Sequence, residues 1–390
     1  MRSLYLDHNA TTPVRPEVVE AMAECLAGPP GNPSSLHRFG RAAAKLRELA
    51  RSRVAKAMGC DPEEVLFTSG GTEADNLALR GALGPTATHV VTAATEHEAV
   101  LQTAEALEEH GSTATVLRVG TDGRLDPAQV AAAIRPETAL VSVMAANNET
   151  GVLHPIEEIG RACRQRGVLF HTDAVQLFGK LPFVMRSLPV DLVSISSHKI
   201  GGPKGIGALC VKRGVRLQPL VTGGGQERRV RPGTENLPGI VGFGKAAELA
   251  DLEVGAESRR LAQLRDRLEE GIRRIAPDAL VNGEESPRLP NTSNVSFPGL
   301  DGETLLVALD LEGIAVSTGA ACNAGAAEPS HVLLAMGRTR EEAGASLRFS
   351  LGRTTQEPEI DEALDVLARV VARFNGHGSA PRAGRALSRE

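Results

Sequence analysis

Four stretches of this 390-residue chain hold residue types that can do chemistry, and each also has a plain structural account. In the first, 194–207, Lys199 follows an apolar run and enters Gly-rich sequence. A lysine there is either a desolvated amine able to form a Schiff base or a surface lysine beside a turn. Ser196 to Lys199 also spells S-x-x-K, but the S-D-N and K-T-G elements of acyl-enzyme chemistry are missing. In the second, 171–176, Asp173 stands where an apolar run ends. Its carboxylate can keep a pyridinium nitrogen protonated, or it can cap a helix. The third is Thr68-Ser69-Gly70-Gly71-Thr72. Backbone N–H groups at a helix start, with hydroxyls, cradle phosphate, though the glycines alone can simply shape a turn. The P-loop lysine and the third glycine of a dinucleotide fingerprint are absent. In the fourth, 317–330, nearly every residue is small and one cysteine, Cys322, stands among them. Such a segment buries little and is expected to be mobile, which suits a nucleophile that must reach a substrate. Cys25 and Cys163 lie in helix patterns, Cys210 in a strand-like run and Cys60 at a helix end, where cysteine serves as small apolar filler.

These clusters need elements to position them. Apolar spacing predicts helices at 16–27 and 41–58, then a strand at 65–68 and a helix at 73–83. Strands and helices then alternate: strands at 88–93, 115–119, 139–144, 168–171 and 192–195; helices at 97–109, 127–134 and 155–166. Repeated β-α-β units imply an α/β protein with a mostly parallel sheet flanked by helices, whose ligands sit at the strands' carboxyl ends. A long charged helix is expected at 240–275. Shorter elements follow: strands at 293–297 and 346–349, helices at 302–309 and 359–374. The domain reading is a large domain at 12–255, a smaller α+β domain formed by 1–11 with 256–374, and a disordered tail at 375–390.

Composition narrows the class. Lys and Arg number 43 against 48 Asp and Glu, a net charge of -5, and aromatics are 3% with no Trp. A base-stacking or strongly basic nucleic-acid surface is not expected. Nothing approaches a membrane span of about 20 apolar residues, and the N-terminus lacks the apolar segment of a signal peptide, so a cytoplasmic protein is expected. Five cysteines without a C-x-x-C support neither a disulfide framework nor a metal site.

Taken together, the motifs resemble one family. Tyr5-Leu-Asp-His-Asn-Ala-Thr-Thr12, Gly31-Asn-Pro-Ser-Ser35, Phe67-Thr-Ser-Gly-Gly-Thr-Glu-Ala-Asp-Asn76 and Thr95-Glu-His97 come first. Asn147-Asn-Glu-Thr-Gly151, Ser196-Ser-His-Lys199, Arg231-Pro-Gly-Thr-Glu-Asn236 and Arg348-Phe-Ser-Leu-Gly352 follow. In this order they resemble the cysteine desulfurases, pyridoxal-phosphate (PLP) enzymes of the class V aminotransferase group, over nearly the whole chain. The resemblance implies the type I fold of PLP-dependent transferases. It implies Lys199 as the lysine that binds the cofactor covalently and moves the substrate Cα proton. Asp173 would be partner of the ring nitrogen, Gln176 of the ring hydroxyl oxygen, and His97 the stacked imidazole and a proton acceptor near the thiol. Gly71, Thr72, Ser196 and His198 would form the phosphate cup, with Thr234 reaching the neighbouring subunit's phosphate in a homodimer. Asn148 would bridge cofactor and substrate, Arg348 clamp the substrate carboxylate, and Cys322 accept sulfur as a persulfide while L-cysteine becomes L-alanine. The spacing from Cys322 to Arg348 resembles the long-cysteine-loop subgroup.

Three departures stand out: His8 at a position that varies, and Ala320 and Asn323 where Ser and Thr are common around the cysteine. The tail does not resemble the extension that contacts a scaffold, which leaves the acceptor open between an iron–sulfur scaffold and a thiolation protein. Rival readings are an aminotransferase, which has no need of Cys322; a selenocysteine lyase; and a sulfur-delivering binding protein, which would not need the full set of catalytic residues.

Overall fold

In a computed structural model of the chain, residues 3–318 and 328–377 are described. The first elements in chain order are β1 (Leu4–Tyr5), α1 (Pro16–Ala27), α2 (Arg38–Met58), β2 (Val65–Thr68) and α3 (Gly71–Gly81). Then come β3 (His89–Ala93), α4 (Glu98–Glu108), β4 (Thr113–Leu117), α5 (Pro127–Ala133), β5 (Thr138–Ser142) and α6 (Ile156–Arg166). The central part continues with β6 (Leu169–Asp173), β7 (Leu192–Ser196), β8 (Gly207–Val211) and α7 (Leu237–Ile275). The last are β9 (Leu280–Val281), β10 (Thr292–Ser296), α8 (Gly302–Leu311), β11 (Ile314–Ala315), α9 (His331–Ala335), α10 (Arg340–Gly344), β12 (Ser346–Ser350) and α11 (Glu357–His377).

Seven strands form the main sheet in the order β2-β8-β7-β6-β5-β3-β4. Pairings among β3, β4, β5, β6 and β7 are parallel, while β8 runs antiparallel to both neighbours. The sheet is thus mostly parallel, as the alternating pattern implies. Strands β3, β5 and β7 are buried along their whole length, which a sheet covered on both faces requires. The edge strand β4 is half exposed, and it lies two residues earlier than its sequence pattern predicts. A partly solvated edge leaves less apolar signal to fix its ends.

A second, antiparallel sheet has the order β12-β10-β9, and β1 pairs in parallel with β11. Each sheet has its own core. One gathers Val91, Val141, Phe170, Val193 and Phe243; the other gathers Leu6, Val295, Leu347, Phe349 and Leu367. Helix α7 serves both, with Ile240, Phe243 and Ala247 in the first and Leu261, Leu264, Leu268 and Ile272 in the second.

Two element starts differ from the sequence reading in ways that matter for the site. Helix α3 begins at Gly71, so Gly71 and Thr72 are its first two residues. Glycine is a weak helix former, so the pattern places the start at Glu73 instead. Strand β6 runs to Asp173, past the predicted end at His171. The 319–327 stretch, which includes Cys322, and residues 378–390 of the predicted tail lie outside the described residues. No helix among the described residues is long and apolar enough to cross a membrane.

Candidate active site

Because β2, β3, β5, β6 and β7 share a direction, the segments leaving their carboxyl ends lie along one edge of the sheet. These segments carry Gly71 and Thr72 after β2, His97 after β3, Asn148 after β5, Asp173 at the end of β6, and Ser196, His198 and Lys199 at and after β7. Residues up to 128 positions apart in sequence therefore gather on one edge, since the sheet order is non-consecutive.

Lys199 lies in a short 3-10 turn, Ser197–Lys199, directly after β7. Its Nζ donates to the backbone oxygens of Asn9 at 2.5 Å and Ala10 at 2.8 Å. Burial and the positive charge of Arg348 lower its pKa to about 8, against the pull of Asp173 and Asp7. At pH 7 roughly a tenth of such amines are neutral, against fewer than about one in a thousand for an ordinary lysine. Asp173 is buried, and its Oδ1 accepts the Val175 amide at 2.8 Å. No helix begins directly after Asp173, so its bond to Val175 closes a local turn and does not cap a helix as one sequence account has it. Burial raises its pKa, opposed by the backbone bond from Val175 and by His97 and Lys199. The Val175 amide first, and then Lys199, favour its ionised form against burial.

Gln176 is buried, with Nε2 donating to the Asn9 backbone oxygen at 3.0 Å. His198 sits against Thr11, its Nδ1 3.2 Å from Thr11 Oγ1. Burial, then Lys199, Lys204 and Lys180, lower its pKa to about 4, so the ring is neutral at pH 7. His97 is exposed and caps α4, its Nδ1 accepting the Ala99 amide at 3.0 Å. The neutral ring then carries its proton on Nε2. It is a donor first, and can accept a thiol proton there only after giving that one up.

The opening of α3 suits an anion. Gly70, at the N-cap, provides no side-chain cap, and a Cβ at Gly71 would lie 2.8 Å from Val175 Cγ2. Behind it, a Cβ at Gly207 would meet the Gly70 carbonyl carbon at 2.7 Å. Two backbones thus approach closely only because Gly207 has no side chain.

From the second sheet comes Arg348, on β12. Its Nη2 donates to Asp7 Oδ1 at 2.7 Å and its Nη1 to the Asn148 backbone oxygen at 3.1 Å, while its buried Nε has no partner. Asn148 Oδ1 is likewise buried without a partner. These two orphaned atoms mark the groups left open for a ligand.

Thr234 stands apart. It is exposed, in the loop before α7, and no described hydrogen bond joins it to the other site residues. The preceding turn places Glu227, Arg228 and Arg229 at positive φ (40°, 57° and 67°), a conformation that costs L residues roughly 1 kcal/mol or more each. A buried bidentate pair, Arg51 Nη1 and Nη2 to Glu227 at 2.9 and 2.7 Å, holds it, and Glu227 also accepts the Phe67 amide of β2.

Sequence reasoning missed Asp7, Asn9 and Lys180 as site residues. Asn9 lies within the Tyr5–Thr12 motif, and Lys180 interrupts an apolar run four residues after Gln176. Those were the available signals, but each of the three also has a partner 167 to 341 positions away.

The model of the family described as Aminotransferase class-V matches residues 4–363. A cysteine desulfurase of Trichormus azollae is 49% identical over 376 residues, 96% of this chain and 94% of that protein. A cysteine desulfurase IscS of Dictyoglomus turgidum is 46% identical over 96% of this chain and 95% of its own. Among solved structures, a NifS-like protein aligns with TM-score 0.89 at 37% identity, covering 95% of this chain and all of that one. SspA in complex with cysteine aligns with TM-score 0.80 at 35% identity, covering 90% and 99%.

Proposed function

The chain belongs to the class-V aminotransferase family, and we propose that it is a PLP-dependent cysteine desulfurase that converts L-cysteine to L-alanine and mobilises the sulfur. The near-full-length similarity to named cysteine desulfurases supports this reading. The observation that carries it is the pairing in one site of Lys199, whose pKa burial lowers to about 8, and Arg348, a buried guanidinium with an unpartnered Nε–H. The amine can bond covalently to an aldehyde carbon and, when neutral, take a proton, and the guanidinium can hold a substrate carboxylate.

The residues present fit PLP. The α3 start takes an anion without a competing side-chain cap, a buried carboxylate stands next to a reactive lysine, and Asn148 Oδ1 awaits a partner. Lys199, Asp173, Gln176, His97, Asn148, Gly71, Thr72, Ser196 and His198 would hold it, with Thr234 supplied by the second copy in a homodimer. When bound, PLP supplies an electron sink for the pair left at Cα.

The chain's own residues do the rest. Arg348 binds and orients the carboxylate. The neutral fraction of Lys199 moves the Cα proton, and His97 offers the proton on its Nε2. Cys322, as thiolate, takes the sulfur: an S–S bond forms as the substrate C–S bond breaks. The electron pair goes to the substrate's β-carbon, which takes a proton and becomes the methyl of alanine. The enzyme keeps a persulfide, and a sulfur-acceptor protein, an iron–sulfur scaffold or a thiolation protein, receives it.

The test is a paired assay on the PLP-loaded protein with L-cysteine and a reductant. Equal alanine and sulfide are expected, and Cys322→Ser should keep the cofactor absorbance yet release no sulfide. Sulfide at the wild-type rate from that variant contradicts the role of Cys322. Absorbance with neither product moves the reading to another amino-acid reaction.

A further inference from the structure

A second lysine lies beside the first. Lys180 is buried at 8% exposure, and no carboxylate pairs with it among the described residues. Its Nζ donates to Gln176 Oε1 at 2.6 Å and to Asn9 Oδ1 at 2.7 Å. Asn9, itself buried, is the hub of the surrounding network. Its backbone oxygen accepts from Lys199 and Gln176, and its Nδ2 donates to the Asn148 oxygen and to Thr292. Its Oδ1 accepts from Lys180 and from Asn291 at 3.1 Å.

The orientation of a glutamine amide is decided by its partners, because its two ends have nearly the same shape. The Asn9 backbone oxygen can only accept, so the end of Gln176 that meets it is the NH2 and the end that faces Lys180 is the oxygen, to which Lys180 gives an N–H. One of the two N–H groups of that NH2 goes to the Asn9 oxygen, and one is left over. The same donor fixes the Asn9 side chain, whose Nδ2 is committed to the carbonyl of Asn148.

We propose that Lys180 is a positioning residue: by donating to Gln176 and Asn9 it turns the Gln176 NH2 toward the ring oxygen of the cofactor and steadies the carbonyls that hold Lys199. The proposal rests on the PLP reading above. It assigns Lys180 no contact with substrate or cofactor. The charged and titratable groups around this network are Lys199 and His198 after β7, Asp173 on β6, Asp7 and His8 on the N-terminal segment, and Arg348 on β12.

A donor to the ring oxygen favours the form of the bound cofactor with more negative charge there, the deprotonated one. The visible absorbance of the holoenzyme is therefore titrated with pH in wild type, Lys180→Met, Gln176→Leu and the double variant, alongside PLP affinity of the apoproteins. Lys180→Met is expected to move the midpoint up by about one pH unit, the size of one lost hydrogen bond to a charged group. In the Gln176→Leu background the same change is expected to move it no further, because Lys180 acts through Gln176. Lys180→Arg, still a donor, should restore most of the wild-type midpoint.

Should Lys180→Met not fold, Gln176→Glu keeps an oxygen for Lys180 but has no N–H, and must raise the midpoint alone. A midpoint unchanged in Lys180→Met, or in Gln176→Glu, overturns the proposal. So does a Lys180 effect that persists in full without Gln176. If the wild-type holoenzyme has no titrating absorbance, the PLP reading falls first and the proposal with it.

Discussion

The two sheets contribute to the site in opposite ways. The seven-stranded sheet brings five parallel strand ends together, and each delivers a residue from a turn that is short and locally built. The Asp173 turn closes on Val175, His97 caps its own helix, and Gly70 to Thr72 open α3. The three-stranded sheet delivers one group, Arg348, from mid-strand. It is aimed by register, with Arg348 opposite Asn294, and by the ion pair to Asp7. A parallel sheet collects chemistry at its rim, whereas an antiparallel sheet lends a single side chain whose direction depends on partners elsewhere. The first contribution should lose the reaction when broken, and the second should lose mainly affinity.

Lys199→Ala tests the first side most severely. It removes both covalent capture of the cofactor and the proton carrier, so desulfuration should fall on the order of 10³-fold or more, read as alanine formed per enzyme. Asp173→Asn keeps the shape and removes the charge. A loss of about 3 kcal/mol, on the order of 10²-fold in kcat, is expected, with PLP still bound. Arg348→Lys tests the second side. Replacing a planar fork by a point charge should raise KM for cysteine roughly tenfold and change kcat less. A fall in kcat alone would erase the contrast between the sheets.

The gentlest probe is pH. The Lys199 amine is reactive when neutral, and burial lowers its pKa to about 8. PLP capture by the apoprotein should therefore quicken as pH rises through about 8 and level off above it. A rate still climbing past pH 10 would describe an ordinary, solvated lysine.

Much of this was legible in the sequence because the residues that matter for the first sheet sit in local motifs. Strand, glycine turn and helix start mark 68–72, and an apolar run ending in Ser-His-Lys marks Lys199. The alternating pattern also implied the parallel sheet. What stayed hidden depends on long-range pairing. Nothing near Lys180 in sequence says that its amine meets Asn9, 171 residues away, and nothing near Arg348 announces Asp7. The role of Arg348 came only through the family resemblance. The exact start of α3 was obscured by glycine, the residue that makes its amides available.

Two lysines stand close together here, Lys180 buried and Lys199 partly exposed, and Lys199 is the one expected to react. Borohydride reduction of the PLP-loaded protein makes the lysine–cofactor bond permanent, and peptide mapping by mass spectrometry then locates it. The added mass is expected on the peptide containing Lys199 and not on the peptide containing Lys180. Label on Lys180, or on neither, would contradict that assignment.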